Sequence, residues 1–327
     1  MKVHILDDWF DTLRHLPSFT KLALHEVTVW TDHVTDTELL AQRLQTAEAL
    51  VLFRERTAIT APLLAKLPNL RLISQRSVYP HVDVAACSAH DVLLCSNLHN
   101  DGHSVAAAEL TWTLVLSCAR QIIAQNISLK AGHWQMGVGQ TVAGRVLGLY
   151  GYGRIARAVA AYARAFGMQV VWWASDEGRA RALADGESVA ESRAVFFSSA
   201  DFISLHVRLK PTTRGIITQD DLLGMKPTAS FINTSRAELL QKGALLAALN
   251  KGRPGRAGID VFETEPLTDP QDPLVTHPNV IATPHIGYVT EDELDFQFND
   301  IYDQINAYVA GVPQNMANLD VWAKKQA

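Results

Sequence analysis

The segment Gly148-Leu149-Tyr150-Gly151-Tyr152-Gly153-Arg154-Ile155-Ala156 constrains this chain more than any other. It follows an apolar run, Val146–Tyr150, and opens an alanine-rich stretch with helical character. A strand that feeds a helix through such a turn begins a βαβ unit able to bind a dinucleotide. Gly151 permits the tight turn, Gly153 lets backbone N–H groups approach a pyrophosphate, and Ala156 keeps helix and strand close. Orphan N–H groups at the helix start then face the phosphates, which makes Tyr152, Gly153, Arg154 and Ile155 the candidate contacts.

Short apolar runs recur along the chain at even spacing. The first series is Val3–Leu6, Val27–Trp30, Leu50–Phe53, Leu72–Ser74 and Val92–Cys95. The second is Val146–Tyr150, Val170–Trp173, Phe202–Leu205, Ser230–Thr234, Gly258–Val261 and Val280–Thr283. Runs of this length and composition, with helix-like stretches between them, read as buried parallel strands. Five strands followed by six predict two doubly wound α/β units, which 327 residues are enough to build. Ser104–Gln121 reads as a long helix crossing from one unit to the other. Glu291–Ala310 reads as a second, so the C-terminal tail is expected to pack on the N-terminal unit.

Bulk properties exclude several classes. Apolar residues at 48% and charged residues at 19% describe an ordinary globular chain. A net charge of -5 gives no electrostatic footprint for nucleic acid or an anionic membrane. Cys87, Cys95 and Cys118 lack metal-ligand spacing and fit a reduced compartment, so no metal is expected. The N-terminus turns acidic at Asp7-Asp8 before a signal-like core develops, and Val105–Ala119 is too short to span a bilayer. The expected location is the cytoplasm.

Ligands of open α/β sheets gather beyond the carboxyl ends of the strands. Those ends carry His206, then Ser235-Arg236, then Asp260 with Glu265, then Pro284-His285. Arginine grips a carboxylate through a bidentate, charge-assisted pair. Histidine titrates near neutrality and can pass the proton that accompanies hydride transfer at a hydroxyl carbon. A carboxylate bonded to that histidine fixes its tautomer. At the end of Val170–Trp173 stand Ala174-Ser175, where a carboxylate would usually take the ribose 2′-hydroxyl of NAD. Asp176 falls two residues late, and Arg179 and Arg181 follow. Ser175 and the arginines suit a 2′-phosphate, or the arginines are simply solvated; the cofactor is NAD(H) or NADP(H), with the preference open.

With these residues in place, the chain resembles the D-isomer-specific 2-hydroxyacid dehydrogenases, the family that includes glycerate and phosphoglycerate dehydrogenases. The matching pieces are Ala108-Glu109-Leu110-Thr111-Trp112, the glycine loop, Asn233-Thr234-Ser235-Arg236, Gly258 through Leu267 and Thr283 through Thr290. The resemblance implies a substrate-binding role for Arg236, with His285 as acid/base and Glu265, before the proline, as its partner; Glu263 is the tempting wrong choice. It places Asp260 near the nicotinamide carboxamide and makes Thr234, Ser235, His206, Ala174, Ser175 and Gly287 cofactor contacts. It also gives the substrate carboxylate the backbone amides of a loop, here Ser77 and Val78; Arg76 beside them is either a second cation for the substrate or a solvent-facing side chain.

The fold class implied is α/β, with two doubly wound parallel-sheet domains: a Rossmann cofactor domain at residues 100–286 inserted in a flavodoxin-like substrate domain at residues 1–99 plus 287–327. The implied partner is a small 2-hydroxy or 2-keto acid, met between the domains, and family members are usually homodimers through the cofactor domain. The sequence departs from the family at Ala174, at Ala237 after Arg236, and in the 76–78 loop, which lacks paired glycines. Alternatives on the same scaffold are a phosphite or formate dehydrogenase, or a non-catalytic dinucleotide-sensing protein. Glu265 argues against the formate branch, whose histidine partner is typically glutamine.

Overall fold

In the computed structural model, which describes residues 1–98 and 105–326, the apolar runs form two parallel sheets. Contacts divide the chain into one unit of Met1–His103 with Thr290–Ala327 and a second of Ser104–Val289. The second crossing thus falls after Val289 rather than after residue 286. The expected first boundary, at residues 99 and 100, and the expected helix start at Ser104 lie outside the described residues.

The first unit holds β1 (Lys2–Ile5), β2 (Glu26–Val29), β3 (Ala49–Val51), β4 (Leu72–Arg76) and β5 (Leu93–Asn97). Their order, β2-β1-β3-β4-β5, is the flavodoxin-like one. The long helix Glu291–Val309 belongs to this unit and buries Phe298, Ile301, Tyr302 and Ile305. The Ser74 hydroxyl donates to the Ile301 carbonyl at 2.8 Å, and Gln304 Nε2 donates to the Gln75 carbonyl at 3.0 Å. The C-terminal tail therefore closes the sheet that the N-terminal residues begin.

The second unit holds β6 (Val146–Tyr150), β7 (Gln169–Trp173), β8 (Phe202–Leu205), β9 (Ser230–Asn233), β10 (Arg256–Ile259) and β11 (Val280–Ala282), in the order β11-β10-β9-β8-β6-β7. Val189 adds one parallel bridge to Trp172 outside β7. Counting that bridge as a strand, the order becomes that of a Rossmann sheet, reversing between β6 and β8. Leu147, Leu149, Trp172, Phe202 and Ile232 enter one core cluster. Tyr150, Ile203, Leu205, Phe231 and Ile259 enter the other. Helices cover both faces, so both alternating sets are apolar, and each fully buried large side chain contributes about 1.5–3 kcal/mol.

The helix Ala106–Arg120 lies within the second unit and approaches β10 closely, for a Cβ at Gly258 would meet Leu114 Cβ at 3.1 Å. It stops at Gln121, whose φ of 55° is left-handed. A further helix, Ile122–Lys130, buries none of its residues, and periodicity gave it no signal. Among the described residues no helix is long and apolar enough to cross a membrane.

Candidate active site

The glycine loop closes β6. Gly151 has φ of 110°, and a Cβ there would lie 2.2 Å from the His206 carbonyl oxygen, so both conformation and space require glycine. Gly153 caps the helix Arg154–Ala165, and a Cβ there would meet nothing within 4 Å. That open face lies at the first helical turn, where backbone N–H groups point out of the helix toward a pyrophosphate. Arg154 is exposed, Ile155 packs half-buried on the core, and Ala156 is fully buried. The Tyr152 ring is turned inward, edge-on to Trp172 at 4.7 Å with its hydroxyl on Asp185 Oδ2 at 2.5 Å. The Tyr152 phenol is thus engaged within the fold.

At the end of β7, Ala174 is buried and Ser175 caps the helix Asp176–Ala184 by accepting from the Gly178 amide at 3.3 Å. Arg179 lies over the Trp173 ring at 4.3 Å, donates to the Ala174 carbonyl at 2.9 Å and pairs with Asp176 at 2.5 Å. Arg181 is exposed. Because no carboxylate occupies position 174, we expect Ala174→Asp to shift the ratio of kcat/KM values toward NADH over NADPH by about tenfold or more, through repulsion of a 2′-phosphate. Steady-state rates with each cofactor check this.

Four strand ends supply the chemical groups. His206, beyond β8, is pulled down to about 4 by burial and is uncharged at neutral pH; its Nε2 lies 2.9 Å from the Ser204 hydroxyl. At the end of β9, Asn233 organises a turn. Its Oδ1 accepts from the Ser235 amide and its Nδ2 donates to the Arg236 carbonyl, each at 3.0 Å. The Ser235 hydroxyl is spent on the Leu205 carbonyl at 2.7 Å, while the Thr234 hydroxyl meets that of Thr111 at 2.7 Å. Arg236 Nη1 donates to the Ser235 carbonyl at 2.8 Å.

His285 Nδ1 lies 2.5 Å from Glu265 Oε2, and the other oxygen of Glu265 accepts from the Phe262 amide at 2.9 Å. Burial pushes the Glu265 carboxyl up, but the His285 bond and charge, the Phe262 amide and the Arg236 charge outweigh it and leave it below its ordinary range. The stabilisation tied to that lowering is present above the ordinary carboxylate range and is lost as pH falls through the lowered value. Glu263 turns elsewhere and accepts from the Gly243 amide at 3.3 Å.

His285 itself has φ of 54°, uncommon for a residue with a Cβ. The restraint is Asp260, fully buried, whose oxygens accept from the Thr283 hydroxyl at 2.6 Å and from the Ile286 and Gly287 amides at 2.8 Å each. Burial raises the Asp260 carboxyl against these donors. Asp260 and Gly287, expected as cofactor contacts, are bonded to each other and hold the His285 loop. Position in sequence could not reveal that use, because the bonded partners lie 23 to 27 residues apart.

In the first unit, Arg76 pairs with Asp300 at 2.6 Å and lies over the Phe296 ring at 4.6 Å. Its charge is matched by Asp300 within that unit. The Ser77 amide donates to the Asn97 carbonyl at 2.9 Å, whereas the Val78 side chain is 49% exposed.

Residues 112–287 match the profile of a family described as D-isomer specific 2-hydroxyacid dehydrogenase, NAD binding domain. A D-3-phosphoglycerate dehydrogenase of Methanocaldococcus jannaschii is 34% identical over 286 residues, which cover 86% of this chain and 54% of that protein. The chain thus spans about half the length of the phosphoglycerate dehydrogenases it matches. A glyoxylate reductase of Thermococcus litoralis is 30% identical over 314 residues, covering 91% of this chain and 92% of the relative. Among solved structures, an oxidoreductase from Ralstonia solanacearum has a TM-score of 0.93 at 42% identity, covering 98% of each chain. A phosphoglycerate oxidoreductase from Vibrio cholerae has a TM-score of 0.89 at 42% identity, covering 95% of this chain and 99% of that one.

Proposed function

From the premise that this chain belongs to the D-isomer-specific 2-hydroxyacid dehydrogenase family, we propose that it transfers hydride between a nicotinamide dinucleotide and C2 of a small 2-keto or D-2-hydroxy acid. The observation that carries the proposal is the 2.5 Å bond from His285 Nδ1 to Glu265, within range of the Arg236 charge. With Nδ1 committed to Glu265, Nε2 is the nitrogen left to face a substrate oxygen. During reduction His285 donates its Nε2 proton to the carbonyl oxygen as C2 receives hydride; during oxidation it takes the hydroxyl proton back. Glu265 holds the tautomer and stabilises the charged ring, as in other histidine–carboxylate pairs. Arg236 grips the substrate carboxylate and polarises the carbonyl. The bound nicotinamide supplies or accepts the hydride.

The test is a spectrophotometric panel of glyoxylate, hydroxypyruvate, pyruvate and bulkier keto acids, each with NADH and NADPH. Oxidation of reduced cofactor by at least one keto acid is expected. Tight dinucleotide binding without turnover on any of them would make the protein a sensor instead, and turnover on phosphite alone would move it to that branch.

We further propose that it acts in the cytoplasm as a homodimer. Ile122, Ile127 and Leu129 are at least half exposed, with Trp134 at 77% and Val138 at 92%. Exposed apolar side chains in this number, on a helix with no buried residue and in the segment that follows it, favour a protein partner, and a second copy is the simplest one. Ile127→Glu is expected to convert a dimer to monomer in sedimentation velocity; an unaltered protein that sediments as a monomer contradicts this.

A further inference from the structure

The carboxyl end of β4 runs into Ser77, whose φ of 79° is left-handed. A serine keeps that conformation only where its surroundings compel it. Here the compulsion can be traced. The Ser77 amide donates to the Asn97 carbonyl at 2.9 Å. Its carbonyl accepts from the Ser96 hydroxyl at 2.6 Å and from Gln75 Nε2 at 3.1 Å. The same Nε2 reaches the Val78 carbonyl at 3.3 Å and the Ser96 hydroxyl at 3.0 Å.

Gln75 is 1% exposed, and among the described residues its Oε1 has no partner. Two carbonyl oxygens facing Nε2 fix which way the amide points. An unpaired buried oxygen costs stability, so an apolar side chain would suit packing better. What Gln75 supplies in return is its nitrogen. The scaffold around it is firm, since Gln304 donates to the Gln75 carbonyl at 3.0 Å and Asp300 accepts from Arg76 at 2.6 Å and from Asn97 at 2.8 Å.

Carbonyl and N–H of one trans peptide point in opposite directions. Drawing the Ser77 and Val78 carbonyls toward Gln75 therefore turns the Val78 and Tyr79 N–H groups away from it. Among the described residues neither amide is donated to another group. Two successive free amides after a left-handed residue form a concavity suited to an anion. Because the Ser77 amide is already spent, this pair is one residue further along than Ser77–Val78.

We infer that Gln75 and Ser96 are positioning residues that hold the Val78–Tyr79 amide pair ready for the carboxylate of the 2-keto acid. The inference rests on the dehydrogenase reading above. Ser77 sets the hand of the turn, the two side chains lock it, and what this loop adds to the grip of Arg236 on the carboxylate is backbone N–H alone.

The experiment compares Gln75→Leu, Ser96→Ala, Ser96→Thr and Ser77→Gly for KM and kcat with glyoxylate, inhibition by oxamate and dinucleotide affinity. Gln75→Leu and Ser96→Ala are each expected to raise the glyoxylate KM and the oxamate Ki about tenfold while kcat and cofactor affinity hold. Ser96→Thr, which keeps the hydroxyl, and Ser77→Gly, which adopts the same φ freely, are expected to retain the original constants. Folded Gln75→Leu and Ser96→Ala proteins with unchanged oxamate inhibition would overturn the inference, as would a loss confined to kcat. Should either variant fail to fold, Ser77→Val against Ser77→Gly decides in the same way, since a β-branched residue resists positive φ. An unaltered protein inactive on every keto acid would instead sink the dehydrogenase reading.

Discussion

Replacing His285 by alanine is expected to lower kcat about a hundredfold to ten-thousandfold, the range typical of a lost general acid–base, while dinucleotide affinity stays near normal. The expectation follows from geometry. Nδ1 is held by Glu265 at 2.5 Å, and no other described histidine shares that carboxylate. The left-handed backbone at His285 complicates the alanine variant, because a Cβ at φ of 54° strains any ordinary residue. His285→Asn is the better-matched control, since asparagine tolerates this conformation and cannot relay the proton. Both variants should lose turnover together. If only alanine does so, the effect comes from the backbone and not from the imidazole. Steady-state rates with saturating cofactor and the best keto acid make the measurement.

For Arg236→Ala we expect kcat/KM for the keto acid to fall about a hundredfold to a thousandfold, as when a charge-stabilising donor is removed from a reacting oxygen. Arg236→Lys should recover only part of this, because a point charge cannot reproduce a planar, bidentate grip. Cofactor binding, read by fluorescence titration, should be unaffected. A second consequence concerns Glu265, whose lowered carboxyl owes part of its shift to Arg236. Removing the guanidinium should therefore raise the pH at which acid begins to weaken the His285 pair, since the lowering that protects it is diminished. An unchanged KM for the keto acid in Arg236→Ala would remove this residue from substrate binding.

How far the sequence carried the structure depended on where each signal resided. Strands such as Val146–Tyr150 and Phe202–Leu205 were legible to the residue, because a strand buried on both faces is apolar throughout and ends where polarity returns. The strand ends placed Glu265 and His285 on one rim, and the family motif settled the pairing against Glu263. Three features were not legible. The bridge at Val189 is one residue long, too short for any periodicity. The helix Ile122–Lys130 that follows Gln121 buries no residue and so leaves no apolar periodicity to read. The partners of Asp260 and Arg76 lie far along the chain, where no local pattern reports them. Local pattern reports what a residue can do, whereas tertiary contact decides which of its capacities is left over.

The most direct measurement is a crystal structure of the protein with dinucleotide and oxamate bound. Oxamate should lie with its amide carbonyl oxygen about 3 Å from His285 Nε2 and its carboxylate reached by Arg236, with Nδ1 still on Glu265. Oxamate bound with both His285 and Arg236 turned away from it would contradict the account.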